Sequence, residues 1–295
     1  MKILLATDGS QESRAAQALL ASLPLAPGTE IVVVTVLAQP HLIAPGLGRE
    51  GELRAFKPPA DQVNAAEALA AEVTRALARA GVAVAGRVET GHPTEVICSA
   101  AENEKADLIV VGSHGRSAVG RFFLGSVSSG VVKHASVPVL IARPQPPLRT
   151  VMIGVDGSPG SRRAVEYLSR FPLPRETEVT ALSVVYVPPP YYGGAEGYYE
   201  TEELTRALET VRRAHETEAN KALSEAAAIL GKPFRVETQL VAGTPARTLL
   251  DLSESKGAQL VVVGSRGLTG VERFVMGSVS LQVTYQAKAS VLVVR

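Results

Sequence analysis

The sequence predicts two tandem α/β domains, each a doubly wound parallel sheet of five strands. The first observation is an internal repeat. The stretch Gly112 to Ser128, GSHGRSAVGRFFLGSVS, returns 152 residues later as Gly264 to Ser280, GSRGLTGVERFVMGSVS, with ten of seventeen positions identical. The second is that short β-branched runs alternate with segments of helical spacing in both halves. The third is length, because 295 residues suffice for two domains that each bury a core.

Each half begins with an apolar strand that ends in Asp-Gly-Ser, KILLATDGS with Asp8 and TVMIGVDGS with Asp156. Ser10 is a natural N-cap for the first helix, whose apolar residues fall on one face. A second strand follows as TEIVVVTVL and TEVTALSVV. After it, residues 38–64 and 188–203 are rich in Pro and Gly and are predicted to form loops or short irregular helices.

The remaining elements follow the same plan in both halves. A second helix is predicted from Asn64 to Gly81, and Pro93 and Pro245 stand in the first turn of a third. Strand four is ADLIVVGS or AQLVVVGS, a fourth helix follows the glycine motif, and the last strand is VPVLIA or SVLVVR. Because the strands are apolar on both faces, we expect helices on both sides of each sheet. The Pro-rich linker RPQPPLR separates domain 1–144 from domain 149–295.

The composition argues against several classes of binding partner and site. The net charge is +1, which argues against nucleic acid and anionic membrane surfaces as partners. The apolar runs are too short to cross a bilayer and Met1 leads directly into a strand, so we expect a soluble, cytoplasmic protein. The single cysteine, Cys98, excludes an internal disulfide, and the five histidines show no metal-site spacing.

The glycine motif predicts a ligand site. In doubly wound sheets ligands bind beyond the carboxyl ends of the strands, where the strand order reverses. If strands one and four are neighbours there, Asp8 and the loop at Gly112 form opposite lips of one crevice, as do Asp156 and the loop at Gly264. Left-handed dihedrals and close backbone approach would explain the glycines. Backbone N–H groups and serine hydroxyls at the start of the next helix would then form a phosphate cradle.

The sequence does not match two other phosphate-binding motifs. GRSAVGRF from Gly115 has the glycine spacing of a Walker A loop, yet Arg121-Phe122 stands where Lys and Ser or Thr are required. The second half has Glu272 in place of the second glycine of that motif. No G-x-G-x-x-G follows the first strand, so the dinucleotide fingerprint is missing as well.

The pattern G-x-x-G, nine residues, then Gly-Ser, after an apolar strand and before a VPVLIA-like strand, resembles the ATP-binding branch of the universal stress protein family. One family domain corresponds to each half. The resemblance implies the strand order 3-2-1-4-5. It also implies that the strand-one Asp and a backbone site on strand two hold adenine, while the glycine loop and the Gly-Ser hold ribose and phosphates. The matching positions are Asp8, Val36, Gly112, Gly115, Gly125, Ser126 and Ser128, then Asp156, Val184, Gly264, Gly267, Gly277, Ser278 and Ser280.

Within the loops, His114 and Arg266 occupy the same position, and Arg266 is added to the site because it can reach a phosphate as a permanent cation. In the last strand the second half departs from the family pattern, since Ser290 replaces Pro138. The resemblance also implies a dimer contact, because single-domain members of the family look like dimers that form through this strand. The duplicated chain is therefore expected to pair its two domains internally as a pseudo-dimer, with a further homo-oligomer left open.

Three functions fit these features. The first is a universal stress protein that binds ATP, with Mg held mainly by the nucleotide phosphates, and acts as a nucleotide-dependent sensor or as a module for an unidentified client protein. The second is a slow ATPase or phosphotransferase, but no His, Glu or Lys recurs in both motif segments as a base. The third is a structural dimerising protein with vestigial sites, against which the intact glycines of both halves count.

Overall fold

A computed structural model describes residues 1–39, 58–115, 124–145, 147–186, 202–267 and 276–295, without the side chains of residues 202–205. Most of the segments 38–64 and 188–203 lies outside these ranges, so the prediction of loops there is not tested. The chain divides into two compact units, Met1–Pro147 and Leu148–Arg295. Each unit alternates strands with helices.

The first unit contains five strands and four helices among its described residues. In chain order they are β1 (Lys2–Ala6), α1 (Gln11–Ser22), β2 (Thr29–Ala38), α2 (Ala60–Leu77), β3 (Val82–Gly91), α3 (Pro93–Asn103), β4 (Leu108–Gly112), α4 (Ser126–His134) and β5 (Val139–Ala142). The second unit repeats this series as β6 (Thr150–Gly154), α5 (Pro159–Arg170), β7 (Glu178–Val185), α6 (Glu202–Leu230), β8 (Arg235–Ala242), α7 (Pro245–Ser255), β9 (Leu260–Gly264), α8 (Ser278–Gln286) and β10 (Ser290–Val294).

The strands of each unit are parallel. In the first unit the order is β3-β2-β1-β4-β5, and in the second it is β8-β7-β6-β9-β10. The order reverses between the first and fourth strands of each unit, where Leu4 pairs with Ile109 and Met152 with Val261. Two crevices can therefore be located, one beyond the ends of β1 and β4 and the other beyond the ends of β6 and β9.

Helices cover both faces of each sheet. In the first unit α1 and α2 contact each other, and α3 contacts α4. The central strands lie between these pairs, and Ile3, Leu5, Ile109 and Val110 are fully buried. Strands that are buried on both faces explain the continuous apolar runs of the sequence. The predicted fold class, two tandem α/β domains with parallel sheets, is confirmed.

Local signals explain most helix starts. The hydroxyls of Ser10 and Ser158 accept hydrogen bonds from the N–H groups of Ser13 and Ser161 at 3.1 Å, which caps α1 and α5. Pro93 and Pro245 begin α3 and α7, as predicted. Helix caps and first-turn prolines depend on a few neighbouring residues, so they can be identified from sequence.

Helix α2 differs from its predicted bounds. It begins at Ala60, four residues before Asn64, and ends at Leu77. Pro59 occupies the N-cap position with non-helical dihedrals, and Asp61 lies in the first turn, where an acidic side chain favours a helix start. The residues after Leu77 turn sharply, since Gly81 has φ +80° and Arg79 bridges to Val82. Apolar residues continue past Leu77 as Ala78 and Ala80, which explains the late predicted end, whereas the polar Asp61 and Gln62 hide the real start.

The last strand of the second unit is one residue longer than that of the first. Ser290, unlike Pro138, has a backbone N–H, which donates to the carbonyl of Gln259 at 3.1 Å. The strand β10 therefore begins at Ser290, whereas β5 begins at Val139. No helix among the described residues is long and apolar enough to cross a membrane.

Candidate functional site

The turn after the first strand holds an aspartate in a fixed position in both units. Oδ1 of Asp8 accepts from the N–H of Ser10 at 3.0 Å, and Oδ1 of Asp156 accepts from the N–H of Ser158 at the same distance. The glycine between the aspartate and the serine, Gly9 or Gly157, has φ +76° or +77°, a left-handed conformation that glycine adopts without strain. One carboxylate oxygen thus holds the turn, and the other points away from it.

The second oxygen lies against the glycine loop. A Cβ built on Gly115 would lie 2.9 Å from Oδ2 of Asp8, and one on Gly267 would lie 2.8 Å from Oδ2 of Asp156. The structure therefore brings together the two predicted lips of each crevice, the Asp-Gly-Ser turn and the loop after the fourth strand. At this point they are in contact, and only a residue without Cβ leaves the carboxylate where it is.

The first glycine of each motif has a different neighbour. A Cβ on Gly112 would lie 2.6 Å from the backbone carbonyl carbon of Glu12, and one on Gly264 would lie 2.5 Å from that of Gly160. These glycines let the end of β4 or β9 approach the first turn of α1 or α5. The prediction of left-handed dihedrals was wrong, because neither these glycines nor Gly115 and Gly267 have φ in that region. Close approach alone requires them.

The helix that follows the motif begins beside the loop. The N–H of Gly125 donates to the carbonyl of Ser113, and that of Gly277 to the carbonyl of Ser265, both at 2.8 Å. A Cβ on Gly125 would lie 3.5 Å from the amide nitrogen of Gly115. The start of α4 is therefore next to the glycine that touches Asp8, and the second unit repeats this arrangement at Gly277 and Gly267.

The first N–H groups of α4 and α8 have no acceptor within their own helices. The first helical bond runs from Ser129 to Gly125 in α4 and from Leu281 to Gly277 in α8, and no side chain of the described residues caps either helix. Ser126 and Ser278 are exposed at these starts. The amides and exposed hydroxyls form donor groups of the kind that bind an anion.

The second serine of each motif is buried and holds the helix to the strand. Ser128 Oγ donates to the carbonyl of Gly112 at 2.6 Å, and Ser280 Oγ donates to the carbonyl of Gly264. Both residues are 5% exposed or less. These hydroxyls satisfy a strand end, so a direct ligand contact by Ser128 or Ser280 stays a prediction of the sequence alone.

The predicted backbone site on strand two lies past the end of strand one. The carbonyl of Val34 accepts from Thr7 at 3.0 Å, and that of Leu182 accepts from Val155 at 2.8 Å. Backbone groups point to alternate sides along a strand, so the N–H and C=O of Val36 and Val184, two residues further on, face the same side. Since β1 ends at Ala6 and β6 at Gly154, these groups face the crevices.

His114 and Arg266 follow the fourth strand at equivalent positions and are half-buried. His114 Nδ1 lies 3.0 Å from Oγ of Ser113, while its Nε2 is buried with no hydrogen-bond partner in the part of the chain that the structure describes. Burial lowers the pKa of His114. The positive charge of Arg143 lowers it further, whereas the negative charge of Glu12 raises it. Burial also lowers the pKa of Arg143 to about 10, which leaves its guanidinium charged at neutral pH.

One group of residues escaped the sequence reasoning, namely the helix starts against which the loops pack. Position 12 is Glu in the first unit, and the aligned position 160 is Gly in the second. The sequence shows this difference as DGSQE in the first half and DGSPG in the second. Its structural role depends on which loop backbone packs against the helix start, and the sequence does not give that contact.

Two doubly wound domains, each with an aspartate turn, a glycine loop and an uncapped helix start at the carboxyl ends of its strands, define a class of tandem α/β proteins. The chain belongs to the universal stress protein family, whose model matches residues 1–143 and again residues 147–295. The two matches correspond to the two halves of the repeat.

Individual relatives agree with this. The chain is 33% identical over 202 residues to a universal stress protein of Mycolicibacterium smegmatis, which covers 65% of this chain and 63% of that protein. It is 31% identical over 147 residues to one of Methanocaldococcus jannaschii, covering 50% of this chain and 82% of that protein. The crystal structure of a universal stress protein from Archaeoglobus fulgidus shares the fold, with a TM-score of 0.65 at 23% identity, over 100% of this chain and 98% of that one. Thus the chain spans less than two thirds of the mycobacterial relative.

Proposed function

We propose that this universal stress protein binds ATP in two crevices, one in each unit, and acts as a nucleotide-dependent sensor or partner-binding module. One observation carries the proposal. In each unit, the uncapped start of α4 or α8 lies beside a glycine, and this glycine contacts the aspartate that follows the first strand. Anion donors, a carboxylate and exposed backbone thus converge on one strand end in each unit.

The adenine end is assigned to the side of Asp8 and Val36, and to Asp156 and Val184 in the second unit. The N–H and C=O of the valine offer one donor and one acceptor side by side, which matches the edge of an adenine ring. The aspartate carboxylate accepts hydrogen bonds, so it favours a base with an amino group. These contacts give specificity for the base.

The phosphate end is assigned to the other side of the crevice. The free N–H groups of the first turn of α4 and the hydroxyl of Ser126 are the donors there, with Ser278 in the same position in α8. Gly115 and Gly267 have no side chain, so a phosphate can approach the backbone of the loop on the side away from the aspartate. Mg²⁺ keeps several waters and binds through substrate phosphates, so we expect the ion to arrive with the nucleotide.

Binding is tested by thermal unfolding of nucleotide-free protein with ATP and Mg²⁺. At a hundredfold excess over the dissociation constant, a ligand of the folded state adds about 2.7 kcal/mol to the free energy of unfolding. For domains of this size that raises Tm by about 5 to 10 °C. GTP at the same concentration is the control and should raise Tm less.

The proposal fails if ATP changes neither Tm nor the heat measured in a titration. Release of inorganic phosphate from bound ATP would instead favour the slow ATPase, which the same samples can reveal.

We also propose, from sequence alone, that the halves pair through their last strands, VPVLIA and SVLVVR. Open apolar edges are prone to association unless something covers them. Residues 1–146 expressed alone should then form a homodimer or aggregate. Light scattering that shows a stable monomer would contradict the pairing.

A further inference from the structure

Among the residues that the structure describes, the two crevices differ at a contact between the glycine loop and the start of the first helix. Aligning the halves places Glu12 of α1 opposite Gly160 of α5, and His114 opposite Arg266. A neighbouring contact is closely matched, because the aspartate lies 2.9 Å from the Cβ position of Gly115 and 2.8 Å from that of Gly267.

In the second unit the loop backbone rests directly on α5. A Cβ built on Gly160 would lie 2.1 Å from the carbonyl oxygen of Arg266. The hydroxyl of Ser158 also donates to that oxygen, at 3.4 Å. Position 160 is buried, so any side chain there would have to displace the loop.

The first unit cannot form this contact. Glu12 carries a Cβ, and real Cβ atoms essentially never approach a carbonyl oxygen to less than 3.0 Å. The carbonyl of His114 must therefore lie farther from α1 than the carbonyl of Arg266 lies from α5. His114 instead has its neighbour Ser113 as a hydrogen-bond partner, through Nδ1.

Formal charge does not separate the two sites. With His114 neutral, residues 112–128 and Glu12 together carry +1, and residues 264–280 with Gly160 also carry +1. The position of that charge still differs, because Arg266 is a permanent cation at the start of its loop and the neutral His114 is not. A second difference is how firmly the start of each loop, residues 112–115 or 264–267, is held before the ligand binds. A loop already fixed in its binding conformation loses less conformational entropy on binding.

We propose that the crevices bind ATP unequally, and that the crevice of the second unit fills first because the contact between Gly160 and Arg266 holds its loop in place. This inference rests on the proposed function. It adds an order of occupancy, in which the protein with one nucleotide bound is a distinct state between empty and full.

The order is tested in the full chain with one crevice blocked at a time. Gly267→Val leaves only the first crevice, and Gly115→Val leaves only the second. Calorimetric titration with ATP and Mg²⁺ should give a Kd about tenfold higher for Gly267→Val than for Gly115→Val. Equal values, or the reverse order, would overturn the inference. Absence of binding by the unaltered chain would refute the proposed function instead.

The cause is tested by placing alanine at both aligned positions. In the chain with Gly115→Val, Gly160→Ala adds the Cβ that collides with the loop and should raise Kd about tenfold. In the chain with Gly267→Val, Glu12→Ala keeps the Cβ already present and removes one negative charge, so Kd should not rise. A thermal melt of Gly160→Ala shows whether α5 still packs, because the new Cβ meets backbone rather than a side chain.

The reverse change guards against a folding defect in Gly160→Ala. Glu12→Gly, in the chain with Gly267→Val, removes the obstructing Cβ and should lower Kd at the first crevice below that of Glu12→Ala, which lacks the same carboxylate. If Gly160→Ala folds and binds as tightly as its parent, or Glu12→Gly binds no more tightly than Glu12→Ala, the loop contact is not the cause and the inference is wrong.

Discussion

Replacing both Gly115 and Gly267 with valine should remove ATP binding and leave the chain folded. The new side chain occupies the space between the loop and the aspartate carboxylate, 2.9 Å away in one unit and 2.8 Å in the other. The neighbouring atom is the end of an aspartate side chain in a part-exposed turn, so it can move aside. The cost to stability is then about one hydrogen bond per unit, roughly 0.5 to 1.5 kcal/mol.

The measurement is calorimetric titration with ATP and Mg²⁺, accompanied by a thermal melt. The control is Asp8→Ala with Asp156→Ala, which removes the same carboxylates without filling the space. That variant should still bind ATP but discriminate less between ATP and GTP. If the valine variant binds ATP as tightly as the unaltered chain, the phosphates do not lie near these glycines.

The second large effect is expected from the other glycine of each motif. Gly112→Val or Gly264→Val places a side chain against the backbone of the first helix, where a Cβ would lie 2.6 Å or 2.5 Å from a carbonyl carbon. Backbone in a helix cannot move aside as a side chain can, so the helix must shift from the sheet. Overpacking typically costs about 1 to 3 kcal/mol, and we expect the upper end here, a large share of a typical stability of about 5 to 15 kcal/mol.

Thermal unfolding measures this, and a loss of that size lowers Tm by about 6 to 12 °C. Gly115→Val, three residues away in the same loop, is the matched control and should lower Tm far less. Equal losses in Tm for Gly112→Val and Gly115→Val would show that the two glycines do not have separate roles, one in packing and one at the crevice.

Local features and the repeat could be predicted from the sequence. The offset of 152 residues between the glycine motifs shows two similar domains, and Ser10 and Pro93 mark helix starts through contacts with their nearest neighbours. The meeting of Asp8 with the Gly115 loop followed from one rule, that ligand crevices form where parallel strand order reverses. Each of these predictions needed only local chemistry or a general property of the fold.

What could not be predicted depends on distances between backbones far apart in the chain. Glycine in a loop suggests a left-handed turn, yet Gly112 is required because β4 approaches α1. A serine in the first turn of a helix suggests an anion donor, yet the hydroxyl of Ser128 bonds to a strand end. The role of Gly160 appears only when the loop above it is seen.

The most direct test of nucleotide binding in both units is a mass spectrum of the intact chain under non-denaturing conditions, recorded while ATP and Mg²⁺ are added. We expect a species with one ATP at low concentration and a species with two ATP at higher concentration. In the chain with Gly115→Val and Gly267→Val both species should be absent. A spectrum of the unaltered chain without bound nucleotide at millimolar ATP would contradict the assignment of the crevices.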